Sequence, residues 1–197
     1  MVVAVASAAL ALAIATVIGG LAATGRPWLQ EVCMRLVDVG LAFPGILFPL
    51  VLSAVIGPSL ITTVIALGVL FSFPLSRVVR SAIYNEYGND YVTAARMLGT
   101  NRVRLVGYHI GINAMLPVLV YTTLVMASAI LAEAALSFLG AGVPPPAPSW
   151  GNMIRDGLTI VHAGAWWVSF FPGLAIVCTV FALNRFSEAL GRRLRTR

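Results

Sequence analysis

The sequence predicts an all-α integral membrane protein, a polytopic bundle of about five helical spans that forms one transmembrane domain over residues 1–197. First, 59% of the residues are hydrophobic and 10% are charged, whereas soluble domains have about 45–50% apolar and about 25% charged residues. Second, the mean hydropathy is +0.94. Third, five apolar stretches are long enough to cross a hydrocarbon core of about 30 Å.

The five predicted spans are separated by short turns or by polar segments. They cover residues 2–23, 39–56, 60–78, 114–139 and 165–183. The first differs from a signal peptide, because it lacks a positive n-region and its apolar run exceeds the roughly 7–15 residues of a signal core. Gly57 and Pro58 predict a tight turn between the second and third spans. The proline-rich stretch "GAGVPPPAPSWGN" predicts a non-helical connection within an external loop over 140–164.

The placement of arginine predicts the orientation of these spans. All thirteen basic residues are arginine. If the segments after the first, third and fifth spans lie in the cytoplasm, every arginine except Arg155 is on the inner side, as the positive-inside rule requires. The sequence therefore predicts a cytoplasmic C-terminus and a cytoplasmic loop over 79–113. Because membrane topology accounts for the net charge of +6, membrane lipid is a predicted partner and nucleic acid is not.

Catalytic and metal-binding motifs are missing from the sequence. Without lysine, the chain cannot form a GxxxxGK[ST] nucleotide-binding loop. Cys33 and Cys178 lie far apart, and neither His109 nor His162 has a potential ligand partner at a useful spacing. The chain is therefore predicted not to be an enzyme and not to bind a cofactor or a metal.

The cytoplasmic loop contains a predicted amphipathic helix from Asp90 to Gly99. Its apolar face follows the helical spacing i, i+3, i+4 and i+7 and comprises Tyr91, Ala94, Ala95 and Leu98. Arg96 and Arg102 form a polar margin. The helix either lies on the lipid headgroups or docks into a groove of a cytoplasmic partner. The paired alanines favour docking, because a membrane-surface helix usually buries Leu, Phe or Trp.

Three colinear segments carry a resemblance to a known family. "YVTAARMLGTNRVRLVGYHIGIN" (91–113) resembles the EAA loop of ABC importer permeases, although Thr93 replaces the glutamate and Gly111-Ile112 replaces Leu-Pro. "EAALSFLGAGVPPPAPSWGNMI" (133–154) and "MRLVDVGLAFPGIL" (34–47) are similar to signatures of the dipeptide and oligopeptide permeases. The chain thus resembles the C-type permease subunit of the peptide and nickel group.

The resemblance implies a type I ABC importer permease fold in the plasma (inner) membrane. It implies three kinds of partner: a second homologous permease, two cytoplasmic ATPase domains that bind ATP and magnesium, and an extracytoplasmic substrate-binding protein. It assigns ATPase coupling to Asp90, Tyr91, Ala94, Ala95, Arg96, Leu98, Gly99 and Arg102. It assigns the external signature or gate to Glu133, Ser137, Gly140, Pro146, Pro148, Trp150 and Gly151. The family usually has six spans, whereas this sequence predicts five. One N-terminal span of the family is therefore expected to be missing here.

Two features on the predicted external side each have two possible interpretations. Glu133 either bonds the turn that carries "PPPAPSW" or lines the transport pathway or its gate. Trp150, Trp166 and Trp167 form either an interfacial aromatic belt or a contact for the binding protein.

The implied function is the import of di- or oligopeptides by alternating access, driven by separate ATPase subunits. Glutathione and chelated nickel remain alternative cargoes. A stand-alone secondary transporter or channel is the alternative function, and it would usually show paired ionisable residues within its spans or an inverted repeat. A membrane scaffold without substrate flux is a further alternative.

Overall fold

The computed structural model describes residues 1–101 and 104–195, with side chains as far as residue 192. Its regular elements in these ranges are all helical. The α-helices are α1 (Val2–Thr24), α2 (Pro27–Ala42), α3 (Leu47–Ile56), α4 (Leu60–Tyr87), α5 (Asp90–Met97), α6 (Gly111–Phe138), α7 (Trp150–Ile160) and α8 (Trp167–Arg195). A π-helix, Leu105–Ile110, leads directly into α6, and a 3-10 turn, Val161–Ala163, follows α7.

Four helical units in the described residues are long and apolar enough to cross a membrane. They are α1, α4, the π-helix together with α6, and α8. Helices α2 and α3 meet the same criterion only as a pair, and that pair is bent by 87°. The bundle therefore has four spans, or five if the bent pair counts as one, and the predicted all-α membrane fold class is confirmed.

The second predicted span differs from a continuous helix. Helix α2 begins at Pro27, where the fixed φ of proline suits the first helical position. It stops before Phe43, which is extended at φ −72° and ψ 132°, because the residue preceding Pro44 is sterically kept out of the α region. Helix α3 then ends at Gly57, whose φ of +99° favours glycine. The predicted range 39–56 thus contains the end of one helix, a sharp bend and a second helix.

Helices α1 and α4 pack closely along most of their length. The buried face of α1 consists of small residues, which allow close approach of two helices in a membrane: Ala4, Ala8, Ala11, Ala15, Gly19 and Ala22. A Cβ atom added at Gly19 would lie 2.6 Å from the Ser76 carbonyl oxygen and 2.7 Å from Cβ of Val79. The helix surfaces at this crossing therefore leave no room for a methyl group.

Replacing Gly19 with alanine is expected to lower the free energy of unfolding by about 1–3 kcal/mol, because the added methyl group overpacks this contact. Gly20 is the matched control, since it follows in the same helix and a Cβ atom there would meet nothing within 4 Å. Gly20→Ala should change stability by less than about 1 kcal/mol. Unfolding of the full chain in sodium dodecyl sulfate measures both, and equal stabilities would contradict this packing.

Candidate functional site

Helix α5 is anchored by its inner face to the bundle, at the ends of the spans that the sequence predicts to be cytoplasmic. Val92 is fully buried, at 0% exposure, in a cluster that includes Leu105 and Ile110 of the π-helix. Tyr91 and Ala95 pack against the same cluster. Burial of these side chains gives α5 a defined position, although it has only eight residues and is too short to be stable in isolation.

The outer face of α5 is apolar and exposed. Leu98, which follows the last helical residue, is 86% exposed and Met97 is 84% exposed. Ala94 also faces outward. The predicted face of four residues is therefore divided, because Tyr91 and Ala95 turn inward while Ala94 and Leu98 turn outward. Met97 was not among the predicted residues, although the i, i+3 spacing from Ala94 places it on the outer face.

The end of α5 has a well-defined hydrogen-bonded cap. Gly99 has φ +75°, and its N–H donates to Arg96 O at 3.0 Å while the Thr100 N–H donates to Ala95 O at 3.1 Å. These two bonds make a Schellman motif, which satisfies the last carbonyls of the helix. Asp90 lies in the first turn, where a negative charge interacts favourably with the helix dipole. Arg102 lies outside the described residues.

A hydrogen-bonded brace joins α5 to two of the spans. The Tyr91 hydroxyl donates to Glu86 Oε2 at 2.5 Å and accepts from Asn113 Nδ2 at 3.2 Å. Glu86 belongs to α4 and Asn113 to α6. Burial, reinforced by the hydrogen bond to Glu86, raises the pKa of Tyr91. The phenol therefore stays protonated, and remains able to donate, at every pH below its ordinary pKa of about 10.

Replacing Tyr91 with phenylalanine is expected to loosen α5 without unfolding the spans. The substitution removes both hydrogen bonds of the hydroxyl, and a loss of about 1–2 kcal/mol in total corresponds to an approximately five- to thirty-fold larger population of undocked α5. Limited trypsin cleavage after Arg96 measures this population. Tyr108→Phe is the matched control, because Tyr108 is exposed and its contact in the structure is with the His109 ring. Equal cleavage rates in the two variants would contradict the brace.

Arg96 points back toward α4. Its guanidinium carbon lies 5.3 Å from the centroid of the Tyr87 ring, a distance suited to a cation–π contact. A cleft of about 570 Å³ lies beside it, and its lining includes Tyr84, Thr100 and Leu105. Arg96 therefore lies at the edge of a cleft, near the C-terminal end of α5.

A second group of predicted residues forms an elbow at the opposite end of α6. Glu133 Oε1 accepts hydrogen bonds from the Ser137 hydroxyl at 2.7 Å and from the Ser149 hydroxyl at 2.9 Å. Ser137 Oγ in turn accepts from the Val143 N–H at 3.3 Å. Asn152 Nδ2 donates to Val143 O at 2.8 Å. Through these bonds Glu133 and Ser137 connect the proline-rich turn to the end of α6.

The elbow brings backbones into close contact, and two glycines make this possible. Gly140 has φ +81° at the end of α6, where the Ala141 N–H donates to Leu136 O at 2.8 Å. A Cβ atom on Gly151 would lie closer than 3.0 Å to the backbone carbonyl of Ala134. Helix α7, which the sequence analysis did not predict within the loop 140–164, is therefore seated directly on α6.

Pro148 and Trp150 line a pocket of about 410 Å³ together with Glu133. Pro146 follows a cis peptide bond with Pro145 in the same turn. In residues 1–101 and 104–195, no three His, Cys, Asp or Glu side chains form a group that could hold a metal ion. The pocket presents the Glu133 carboxylate, the Trp150 indole ring and largely apolar walls.

The residues that support α5 and the residues of the elbow lie at opposite ends of one helix, α6. Asn113 stands near the start of α6 and Glu133 near its end, and a helix of this length separates them by about 30 Å. Helix α6 thus connects the support of α5 directly to the elbow.

Several known proteins are similar to this chain. The Di/tripeptide transport system permease protein DppC of Pseudomonas aeruginosa is 42% identical over 157 residues, which are 80% of this chain and 52% of that protein. The Dipeptide transport system permease protein DppC of Escherichia coli K12 is 42% identical over 159 residues, which are 81% of this chain and 53% of that protein. The chain therefore spans about half the length of these curated relatives.

A solved structure has a similar fold. The crystal structure of an amino acid ABC transporter with histidines matches with a TM-score of 0.71 over 99% of this chain and 89% of that chain, at 17% identity. At this identity the likeness concerns the fold alone, and the predicted ABC importer permease fold is confirmed. The family model described as "Binding-protein-dependent transport system inner membrane component" matches residues 15–196. The chain belongs to this family of inner membrane transport components.

Proposed function

We propose that this chain is a permease subunit of an ATP-driven importer that moves di- or oligopeptides into the cytoplasm. The observation that carries the proposal is helix α5, whose inner face is fixed to α4 and α6 while Met97 and Leu98 are left exposed. An element of this kind can receive force from a partner and pass it to the spans. The peptide cargo is supported by relatives named as dipeptide and di/tripeptide permeases.

The proposed complex contains a second permease, two cytoplasmic ATPase domains and an extracytoplasmic binding protein. ATP and magnesium bind to the ATPase subunits, and closure of their pair moves α5. The C-terminus lies on the same cytoplasmic side, in agreement with the positive-inside rule. The transport pathway then alternates between outward and inward access, because the packed spans move as rigid elements.

The coupling face is proposed to be the exposed side of α5, and Ala94, Met97 and Leu98 form it. A helix that docks into a groove presents apolar anchors at i, i+3 and i+4, which is the spacing of these three residues. Tyr91 and Ala95 keep a supporting role on the inner side. The family match to a component of a binding-protein-dependent system does not favour the alternative of a stand-alone transporter or channel.

The test is purification of the tagged chain from its native membrane in mild detergent, followed by mass spectrometry. Recovery of a second permease and an ATPase is expected, and the complex should take up peptide into liposomes only with ATP and a loaded binding protein. A chain that purifies alone, is monodisperse and transports without ATP would contradict the proposal. Uptake of another cargo class by the complete complex would overturn the peptide assignment alone.

A further inference from the structure

A cationic cleft lies between α2 and α4, at the arginine-rich side of the bundle. Two adjoining cavities of about 470 and 300 Å³ share Met34, Asp38 and Arg80 in their linings. The charged residues around them are Arg35, Arg77, Arg80, Glu31 and Asp38. Three arginines against two carboxylates leave one surplus positive charge.

The ion pairs assign this surplus to Arg80. Arg77 Nη2 lies 2.6 Å from Asp38 Oδ1, and Arg35 Nη2 lies 3.8 Å from Glu31 Oε1. Each carboxylate therefore lies within ion-pair distance of an arginine other than Arg80, and the largely exposed Arg35–Glu31 contact is weak. Among the residues that the structure describes, Arg80 has no hydrogen-bond acceptor or ion-pair partner, and its Nε is sealed from solvent without one. Arg80 lines both cavities and its charge has no carboxylate partner in the described part of the chain, so an anion that enters the cleft would pair with its guanidinium.

The surroundings of Arg80 hold its guanidinium in place. Its central carbon lies 5.3 Å from the centroid of the Tyr84 ring. The Tyr84 hydroxyl donates to Gln30 Oε1 at 2.9 Å, and Gln30 Nε2 donates to Gly25 O at 2.9 Å. These bonds connect α4 to the corner between α1 and α2. The cleft therefore contains a half-buried arginine beside an aromatic ring that is itself hydrogen-bonded.

An apolar surface suited to lipid acyl chains lies beside the cleft. Trp28, Val32 and Leu36 are exposed, and at 100° per residue they form a stripe on α2 next to the face that lines the cavities. Trp28 and Tyr84 are residue types that are typical of the membrane interface. Basic pockets between transmembrane helices on the cytoplasmic side bind anionic headgroups, and a phosphate matches the planar donors of arginine.

We infer that the cleft between α2 and α4 binds one anionic phospholipid, with its phosphate on Arg80 and its acyl chains along the Trp28–Leu36 stripe. The site needs only a membrane, so its failure and the failure of the proposed transport are separable. It also places a negative headgroup beside the Asp38–Arg77 pair that joins α2 to α4.

Lipid retention by the full chain, purified with its co-expressed partner subunits, tests this inference. Phosphatidylglycerol, phosphatidylcholine or inorganic phosphate is added to the delipidated protein in micelles, and bound lipid is counted by native mass spectrometry. One phosphatidylglycerol per chain should be retained at least about tenfold better than phosphatidylcholine. Arg80→Gln should reduce this retention to the phosphatidylcholine level.

Arg185→Gln is the matched control. Arg185 also lies over an aromatic ring, Phe181, at 5.7 Å, but it has a carboxylate partner in Glu188 at 3.5 Å, so its variant should retain lipid normally. Arg80→Lys keeps the charge without the planar fork and should retain an intermediate amount. Unchanged retention in Arg80→Gln, or retention in Arg80→Lys no better than in Arg80→Gln, would overturn the site.

Two further outcomes would also overturn the inference. Competition by inorganic phosphate at a concentration equal to that of the lipid would identify a free-anion site. Loss of a partner subunit from Arg80→Gln, with lipid retention unchanged, would identify an acidic protein side chain as the occupant.

Discussion

Replacing Leu98 with glutamate is expected to abolish ATP-driven uptake while the chain remains inserted and folded. Leu98 is 86% exposed in the isolated chain, so the substitution removes little internal contact. In the proposed complex the new carboxylate would be buried without a partner in the ATPase groove, which costs about 2–5 kcal/mol. Binding of the ATPase should therefore weaken by about 30-fold to several thousand-fold. Co-purification of the ATPase and uptake by proteoliposomes measure the effect.

Two control variants separate docking from other causes. Thr93→Glu adds the same charge to the exposed start of α5, where the helix dipole favours a carboxylate, and it should keep the ATPase bound. Leu98→Met retains an apolar anchor of similar volume and should lose little activity. Normal coupling in Leu98→Glu, or equal losses in Leu98→Glu and Thr93→Glu, would contradict the proposed docking face.

Replacing Gly151 with alanine is expected to have the largest effect on stability. The added Cβ would lie closer than 3.0 Å to the backbone carbonyl of Ala134, and backbone cannot rotate away as a flexible side chain can. Overpacking of this kind costs about 1–3 kcal/mol and more when the neighbour is rigid, so a loss of about 3 kcal/mol or more is expected. Helix α7 should separate from α6, and the fluorescence of Trp150 should report its new environment.

Gly173→Ala is the matched control for this substitution. Gly173 lies inside α8, and a Cβ atom there would meet nothing within 4 Å. Its alanine variant should be as stable as the parent chain or slightly more stable, because alanine favours helix over glycine by about 1 kcal/mol. If the two variants unfold at the same detergent concentration, the backbone contact between α6 and α7 is not structurally important.

Hydropathy was sufficient to predict the long spans, because burial in lipid depends mainly on the average polarity of some twenty residues. The observed α1 (Val2–Thr24) coincides with the first predicted range. The same averaging hid the bend at Phe43–Ile46, since Pro44 and Gly45 lie inside an apolar run and change its mean hydropathy little. That bend depends on local backbone sterics before a proline, which a window average does not contain.

The candidate site was predicted less completely. The periodicity around Tyr91 and Ala94 located α5, and Gly99 marked its end, since both are local signals. Which side of α5 faces the bundle depends on the distant residues Leu105 and Ile110, so Leu98 could not be placed from spacing. Helix α7 was not predicted because the prolines that precede it indicate a non-helical connection. The amphipathic stretch Trp150–Ile160 is short and gave a weaker signal.

Helix α6 has a thermodynamic consequence for any complex that this chain joins. It carries the Asn113 contact to α5 at one end and the Glu133 elbow at the other. A rigid shift of α6 therefore moves both groups. Linkage is reciprocal. In the proposed complex, the factor by which nucleotide binding changes the affinity of the elbow side for the loaded binding protein equals the factor by which that protein changes the affinity for nucleotide.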